Sequence, residues 1–549
     1  MKRINIILLS LFLFSVSIGF FIASTDIYFE INKNIELFGK VYREVTLNYV
    51  DEVSPEKFMR SGVKGMLQAL DPYSVFIDES KKGEVDLLTT GKYGGVGILI
   101  GLKEDEVTIT EVMAGYSAQR QGLKVGDVII EINGVRVNRE NYNDISGWVR
   151  GEPGSEVHFK IKRESEPQPI EFHLIREEIQ VMNLSYADFI PGEDGILYLK
   201  LDRFSRRAGE EIKQAFLSLK NKEKTKYIIL DLRSNPGGLL QSAVDVLEKF
   251  IEPGEKLVEM KGRSIESNKS YTSVEFPIFH GIPLAVLIDE NSASASEIVA
   301  GSIQDLDRGI ITGKQSFGKG LVQSIIPLPY KTMLKLTTAK YFTPSGRCIQ
   351  KFDYSTKSEE VIISNRDSSK RIFKTKNNRT VQEAGGIIPD TIITKPELSY
   401  VSQDFLKRAI FFKFAAKYLN DHPNVNLEDL TKEELLNDFK NYLRKYKIQH
   451  RSKLEKELDD IIEFAEKDKR FTAGLAELTS LKSKYIFSTI SEVDHNSEEI
   501  YWVLLAELAS HLNGENGKIK ILMNTDHQLI ETVRILKNTK VYSKLLTAN

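Results

Sequence analysis

Two short runs, Tyr227–Leu232 (YIILDL) and Pro283–Asp289 (PLAVLID), carry almost no side chain suited to face water. Strands of that kind must be covered on both faces, as happens when helices flank a parallel sheet. Segments with helical character lie near 208–220, 239–250 and 295–306, and a short apolar strand is expected at Gly309–Thr312. From about Ile196 to Thr394 strands and helices alternate, which predicts a largely parallel α/β sheet. The polar residues 355–385 are expected to leave it as a loop or hairpin excursion.

Three unusual loops follow the three strands. The first is Arg233-Ser234-Asn235-Pro236-Gly237-Gly238. The second is Glu290-Asn291-Ser292-Ala293-Ser294-Ala295-Ser296-Glu297, which opens a helix. The third runs from Gly313 to Gly320 and contains Phe317-Gly318-Lys319-Gly320. If the strands are parallel, all three loops leave the sheet at its carboxyl edge, where open α/β sheets bind ligands. Each part then has a physical task. A serine at a helix start sits beside unpaired N–H groups and the positive end of the dipole. Gly237 and Gly238 lack side chains, so their N–H groups can approach a reacting carbonyl. Paired donors of that sort stabilise an oxyanion by roughly 10²–10³ in rate each. Lys319 can act as a base only when neutral, and burial disfavours the ammonium. Gln323 follows four residues later on an expected strand, within reach to orient the amine. On these residues alone Ser292, Ser294 and Ser296 all remain candidate nucleophiles.

Other readings of the same residues are weaker. A serine at a helix start is often only a cap. Gly313-x-x-x-x-Gly318-Lys319 is nearly a phosphate-binding loop, but Gly320 stands where Ser or Thr is needed, and a strand is expected at Leu321–Leu328. G-x-S-x-G is missing around Ser294, and the nearest histidine, His280, precedes a buried strand. Eight histidines lack the spacing of a metal site, and H-E-x-x-H is missing. One cysteine, Cys348, removes internal disulfides and C-x-x-C chemistry. A net charge of −2 argues against nucleic acid as a partner.

Outside the sheet, Lys2 and Arg3 precede an apolar stretch from Ile4 to Ala23, long enough to span a bilayer. The basic residues predict a single-pass anchor with the rest of the chain on the extracytoplasmic side. A cleaved signal peptide is the competing reading, disfavoured by a poor small-x-small site. Asp26–Tyr49 reads as an amphipathic helix, and Ser54-Pro55-Glu56 as the start of a second. Residues 91–163 read as a small β-rich module with a tight turn at Asn133-Gly134 and a short helix at 141–150. From about Leu398 the chain is mostly helical, with capping boxes at Thr431/Glu434 and Ser452/Glu455. Two apolar stripes there are expected to face a core: Leu435, Phe439, Tyr442 and Tyr446, then Leu454, Leu458, Ile461 and Ala465.

In order along the chain, Leu70-Asp71-Pro72-Tyr73-Ser74, Asp231–Gly238, Ser292–Glu297, Phe317–Gly320, Gln323, Thr343-Pro344-Ser345-Gly346-Arg347 and Gly385–Asp390 resemble the carboxyl-terminal processing peptidases. These are PDZ-containing Ser–Lys proteases, also called tail-specific proteases. The resemblance implies a multidomain α/β protein with a ClpP/crotonase-like protease core. The resemblance covers about 30 to 395; with the anchor and helical tail read above, the chain divides into an anchor (1–25), N-terminal helices (26–90), an inserted PDZ domain (91–175), the protease domain (176–395) and a helical C-terminal region (396–549). The resemblance also implies Ser294 as nucleophile, Lys319 as base and Gln323 as its positioning partner. The oxyanion hole would use the Ala295 N–H and one N–H from Gly237 or Gly238. Gly95-Val96-Gly97-Ile98 would capture a substrate's C-terminus, with Ser117-Ala118 departing from the usual Pro-Ala. No metal or cofactor is implied. Expected substrates are proteins with apolar, flexible C-terminal tails. The helical region is left to an adaptor, a homodimer contact or a cover for the protease. A catalytically inactive peptide-binding scaffold is the alternative.

Overall fold

The computed structural model describes residues 27–79, 82–352, 354, 371–468, 470–485 and 488–548. The expected membrane anchor lies outside them. Among the described residues no helix is long and apolar enough to cross a membrane.

One compact unit joins the N-terminal helices to residues 324–337. Its first helix covers 27–48. The second, Pro55–Gln68, starts with the Ser54 side chain accepting from the Lys57 N–H and proline in its first turn. Val75–Ile77 pairs antiparallel with Met333–Lys335. The apolar face predicted for the first helix is mostly uncovered, with Ile31, Ile35, Phe38 and Tyr49 exposed.

The larger unit holds the expected sheet. Its strand order is Leu184–Phe189, Ile196–Leu201, Tyr227–Asp231, Leu284–Ile288, Ile310–Gly313, Thr391–Ile392. Leu184–Phe189 is antiparallel and the rest are parallel. The register sets Asp231 beside Leu287 and Ile288 beside Gly313, so the three strands end level. One face is covered by Ala208–Ser218, Leu240–Leu247 and Ala295–Asp305, with Leu199, Leu230, Val286, Ile212, Val244 and Val299 in a common core. The expected helices and strands thus stand within a few residues of their predicted bounds. The described part of the 355–385 excursion is a hairpin, Ile372–Lys374 with Thr380–Gln382.

The opposite face of the sheet is covered from the far end of the chain. Ile519, Met523, Leu529, Val533 and Leu536 pack with Tyr198, Ile229, Ala285 and Leu287. Arg233, in the first loop, donates to Asp526 Oδ1 and Gln528 Oε1 at 3.0 Å each while pairing with buried Asp231. Burial pushes the Asp231 carboxyl up, but Arg233 and Lys200 pull it down further, leaving it well below the usual range. The last helices are therefore part of the sheet's packing, not of a separate helical bundle.

The remaining helices form their own core around Phe405, Phe411, Phe439 and Leu504. The Thr431/Glu434 capping box forms as expected. The two predicted stripes are only half buried: Leu435, Phe439, Leu458 and Ala465 are inside, but Tyr446, Leu454 and Ile461 are exposed. Helical spacing fixed the face of those helices, not whether a neighbour covers all of it.

Residues 92–175 include an antiparallel sheet in the order Ile98–Lys103, Glu106–Val112, Val128–Ile132, Glu156–Lys162, Ile170–Ile175. Asn133 and Gly134 both have positive φ, as their hairpin turn requires. The helix Tyr142–Val149 buries Ile145 and Val149.

Leu536 is 1% exposed in the core beneath the sheet. Leu536→Ala is expected to lower stability by about 2–5 kcal/mol, read as a drop in the denaturant midpoint of the sheet domain. A change below about 0.5 kcal/mol would mean that the last helices do not close this face.

Candidate active site

The three loops meet as the strand ends require. The Ala293 N–H donates to Asn235 O at 3.0 Å, joining the serine loop to the glycine loop. The Phe317 N–H donates to Ser292 O at 3.0 Å, joining the serine loop to the lysine loop. Asn235, wholly buried, donates its amide to Leu201 O at 2.7 Å and so anchors the first loop to the sheet.

The serines differ sharply. Ser292 and Ser296 are buried, and their hydroxyls donate to the carbonyls of Leu232 (2.8 Å) and Asn235 (2.9 Å). Ser294 is only partly buried. It precedes the helix Ala295–Asp305 with φ 56° and ψ −112°. That backbone is sparsely populated for a residue with a Cβ and costs about 1–3 kcal/mol, the kind of strain stored at reactive sites.

Gly237 and Gly238 also have positive φ, 97° and 153°. A Cβ on Gly237 would lie 2.6 Å from Ala293 O, 2.8 Å from Ala295 N and 2.9 Å from Ser294 Cβ. A Cβ on Gly238 would lie 2.3 Å from Phe204 O. Neither position admits a side chain. The Gly237 N–H is engaged by Asn235 Oδ1 at 2.8 Å. The Gly237 N–H is thus already bonded, and Ala295 opens its helix beside this loop.

Two groups that sequence reasoning did not assign a role hold Ser294 and Lys319 together. Glu297 is fully buried. Its Oε2 accepts from the N–H of Ser294 (2.8 Å) and of Lys319 (2.9 Å). Its Oε1 accepts from the Gly318 N–H (2.7 Å) and the Ser316 hydroxyl (2.6 Å). Burial raises this carboxyl to about 7, opposed by the Ser316 hydroxyl and the N–H groups of Lys319, Gly318 and Ser294. Tyr341, 1% exposed, completes the clamp from the carbonyl side. Its hydroxyl lies 3.0 Å from Ser294 O and within hydrogen-bond reach of Lys319 O. Burial first, then the Glu297 charge, pushes the phenol well above its ordinary range, so it keeps the proton it shares. Glu297 was legible as the far end of a capping box, Ser294-x-x-Glu297. Tyr341 carried no local signal.

Lys319 is partly buried, and Leu321–Pro327 after it is a strand, not the helix of a phosphate-binding loop. Gln323 lies on that strand, partly buried. The Gly385–Ile387 segment closes over the lysine loop: the Ile387 N–H donates to Ser316 Oγ at 2.6 Å. His280 is exposed, paired with Glu252, and precedes the Leu284–Ile288 strand at the end opposite Ser294.

In the small β module, Gly95 ends one strand and Ile98 starts the next, with Val96 buried between them. Beside Ile98–Lys103 and the helix Tyr142–Val149 lies a groove of about 280 Å³, lined by Val96, Ile98, Tyr142, Ile145, Val149 and Arg150.

The pattern of peptidase family S41 matches residues 195–355. A PDZ domain pattern matches 108–163, and one described as "Probable PDZ-protease, C-terminal helical domain" matches 401–536. A carboxy-terminal-processing protease of Bartonella bacilliformis is 35% identical over 321 residues, covering 58% of this chain and 73% of that protein. Carboxy-terminal processing protease CtpB of Bacillus subtilis is 30% identical over 323 residues, covering 59% of this chain and 67% of that protein. Among solved structures, a photosystem II D1 C-terminal processing protease is 24% identical over 65% of this chain and 92% of that one, with a TM-score of 0.35. The chain therefore belongs to the carboxy-terminal processing proteases of peptidase family S41 and is a serine-type peptidase with a PDZ domain.

Proposed function

We propose that this peptidase works through a Ser294–Lys319 dyad and reads the C-terminal tails of its protein substrates in the PDZ groove. The observation that carries the dyad is the shared oxygen of Glu297, which accepts from the backbone N–H of both residues. The buried, bonded hydroxyls of Ser292 and Ser296 support Ser294 as the nucleophile.

In this reading neutral Lys319 removes the Ser294 proton as Oγ attacks the scissile carbonyl. The tetrahedral oxyanion is received by the N–H groups of Ala295 and Gly238. Lys319 then protonates the leaving amine; in the second half neutral Lys319 takes a proton from water as it attacks the acyl group and returns one to Ser294 Oγ as that group leaves. Gln323 orients the lysine. The PDZ groove takes an apolar tail by adding it as a strand beside Ile98–Lys103, with the N–H groups of Gly95–Ile98 toward its carboxylate. Lys2, Arg3 and the apolar run to Ala23 support anchorage in a bacterial membrane, with the catalytic domain on the periplasmic or other extracytoplasmic side.

Ser294→Ala and Lys319→Ala should each reduce cleavage of an unstructured protein tail at least about 10³-fold, with His280→Ala unaffected. Gly237→Ala should lose about 10²-fold or more by displacing the Ser294–Ala295 backbone. An inactive peptide-binding scaffold would show no cleavage in any form.

Tyr341→Phe should lower kcat about 10- to 100-fold with KM nearly unchanged, because it loosens the dyad without touching substrate. The four donors around Glu297 suit an ionised carboxylate, which only accepts. Activity should therefore fall as pH drops through about 7. Stability runs the other way. With its value raised on folding, Glu297 takes up a proton in the folded state between about 4.5 and 7, and the cost of burying its charge, about 3 kcal/mol at most, is relieved over that range. Wild type should gain stability relative to Glu297→Gln as pH falls from about 8 to 5; a constant difference would refute the raised value.

Substituting the Gly95–Ile98 loop should depress turnover of tailed protein substrates, and not only weaken their binding, if tail capture gates the site. Equal kcat with raised KM would restrict the PDZ domain to binding.

A further inference from the structure

On the outer face of the PDZ sheet, strand Glu156–Lys162 alternates strictly, with Val157, Phe159 and Ile161 buried and Glu156, His158 and Lys162 exposed. Its antiparallel neighbour places His173 directly across from His158. The side chains at 156, 158 and 173 therefore share one solvent-facing patch, and the two imidazoles stand 4.2 Å apart between ring centres. Glu156 Oε1 lies 3.5 Å from His158 Nε2 and 3.3 Å from His173 Nδ1. The three ligand atoms all lie within 4.8 Å of one another.

From this geometry we propose that Glu156, His158 and His173 form a binding site for a divalent transition ion of the zinc class, separate from the catalytic centre. Metal–ligand bonds of about 2.0–2.1 Å at tetrahedral angles put ligand atoms about 3.3 Å apart. The two carboxylate–imidazole spacings already match that edge. Two imidazoles with one carboxylate suit Zn²⁺, Ni²⁺ or Cu²⁺, whereas Mg²⁺ and Ca²⁺ require oxygen-rich sets. Exposure leaves the fourth position to water or to a side chain of a bound protein. Such an ion would fasten strand Glu156–Lys162 to Ile170–Ile175. The second strand runs on into Arg176, whose guanidinium holds Val149 O, Trp148 O and Glu156 O at 2.8–2.9 Å. Metal binding would thus stiffen the end of the PDZ domain where the chain returns toward the protease sheet.

The test is calorimetric titration of the untagged, EDTA-treated intact chain in mild detergent with Zn²⁺, beside Mg²⁺ and Ca²⁺. The expected result is saturable binding of zinc with no response to the other two ions. Glu156→Gln should weaken it at least tenfold, and the His158→Gln/His173→Gln pair should lower the stoichiometry by one zinc per chain. Zinc should raise the melting temperature of the wild type and not of the pair, whose metal-free melting temperature stays at the wild-type value. Absence of saturable zinc binding to the wild type, or an isotherm unchanged in the pair, would overturn the proposal.

Discussion

The site depends on one buried carboxylate. Glu297 takes four hydrogen bonds from two separate stretches of chain: the serine itself, and Ser316, Gly318 and Lys319 of the following loop. A carboxylate left unpaired in such a place would be severely destabilising, so the donors are required by its burial. Conversely, the two loops lack any regular ladder between them and need a common acceptor. The same group thus meets both needs, and it fixes the backbones of Ser294 and Lys319 against each other. Tyr341 does the complementary task. It offers a donor to the carbonyls of the same two residues. Between them, acceptor and donor leave the backbones of Ser294 and Lys319 little freedom to separate.

The surrounding structure keeps these loops in place. Level strand ends bring the loops to one edge. Asn235 anchors the glycine loop inside, and Arg233 ties its start to Asp526 and Gln528 near the end of the chain. The positive φ of Ser294 is a local cost carried by this packing. The last helices matter in the same way. Without their apolar side chains one face of the parallel sheet would lie open, although its strands carry no polar alternation to tolerate that.

Much of this was legible in the sequence because it follows from local rules. The apolar runs 227–232 and 283–289 demanded two covered faces, and the order of strands and helices then placed three loops at one edge. The choice among Ser292, Ser294 and Ser296 was not legible from spacing alone. It rests on family resemblance, to which the structure adds that Ser292 and Ser296 are buried with bonded hydroxyls while Ser294 is partly exposed. Glu297 was visible but read as part of a helix start, since three of its four donors come from a loop about twenty residues away. Tyr341 reaches Ser294 across 47 residues from another strand, and no periodicity encodes such a contact. The cover supplied by residues 519–536 was hidden for the same reason: an amphipathic helix states that it needs a partner and not which one. The exposed Leu454 and Ile461 show the limit from the other side.

The central claim, that Ser294 is made nucleophilic by Lys319, is tested most directly by covalent labelling with a fluorophosphonate, with the adduct mapped by mass spectrometry. A single adduct on Ser294, formed far more slowly in Lys319→Ala, is the result this account predicts. An adduct on Ser292 or Ser296, or an unchanged labelling rate without the lysine, would contradict it.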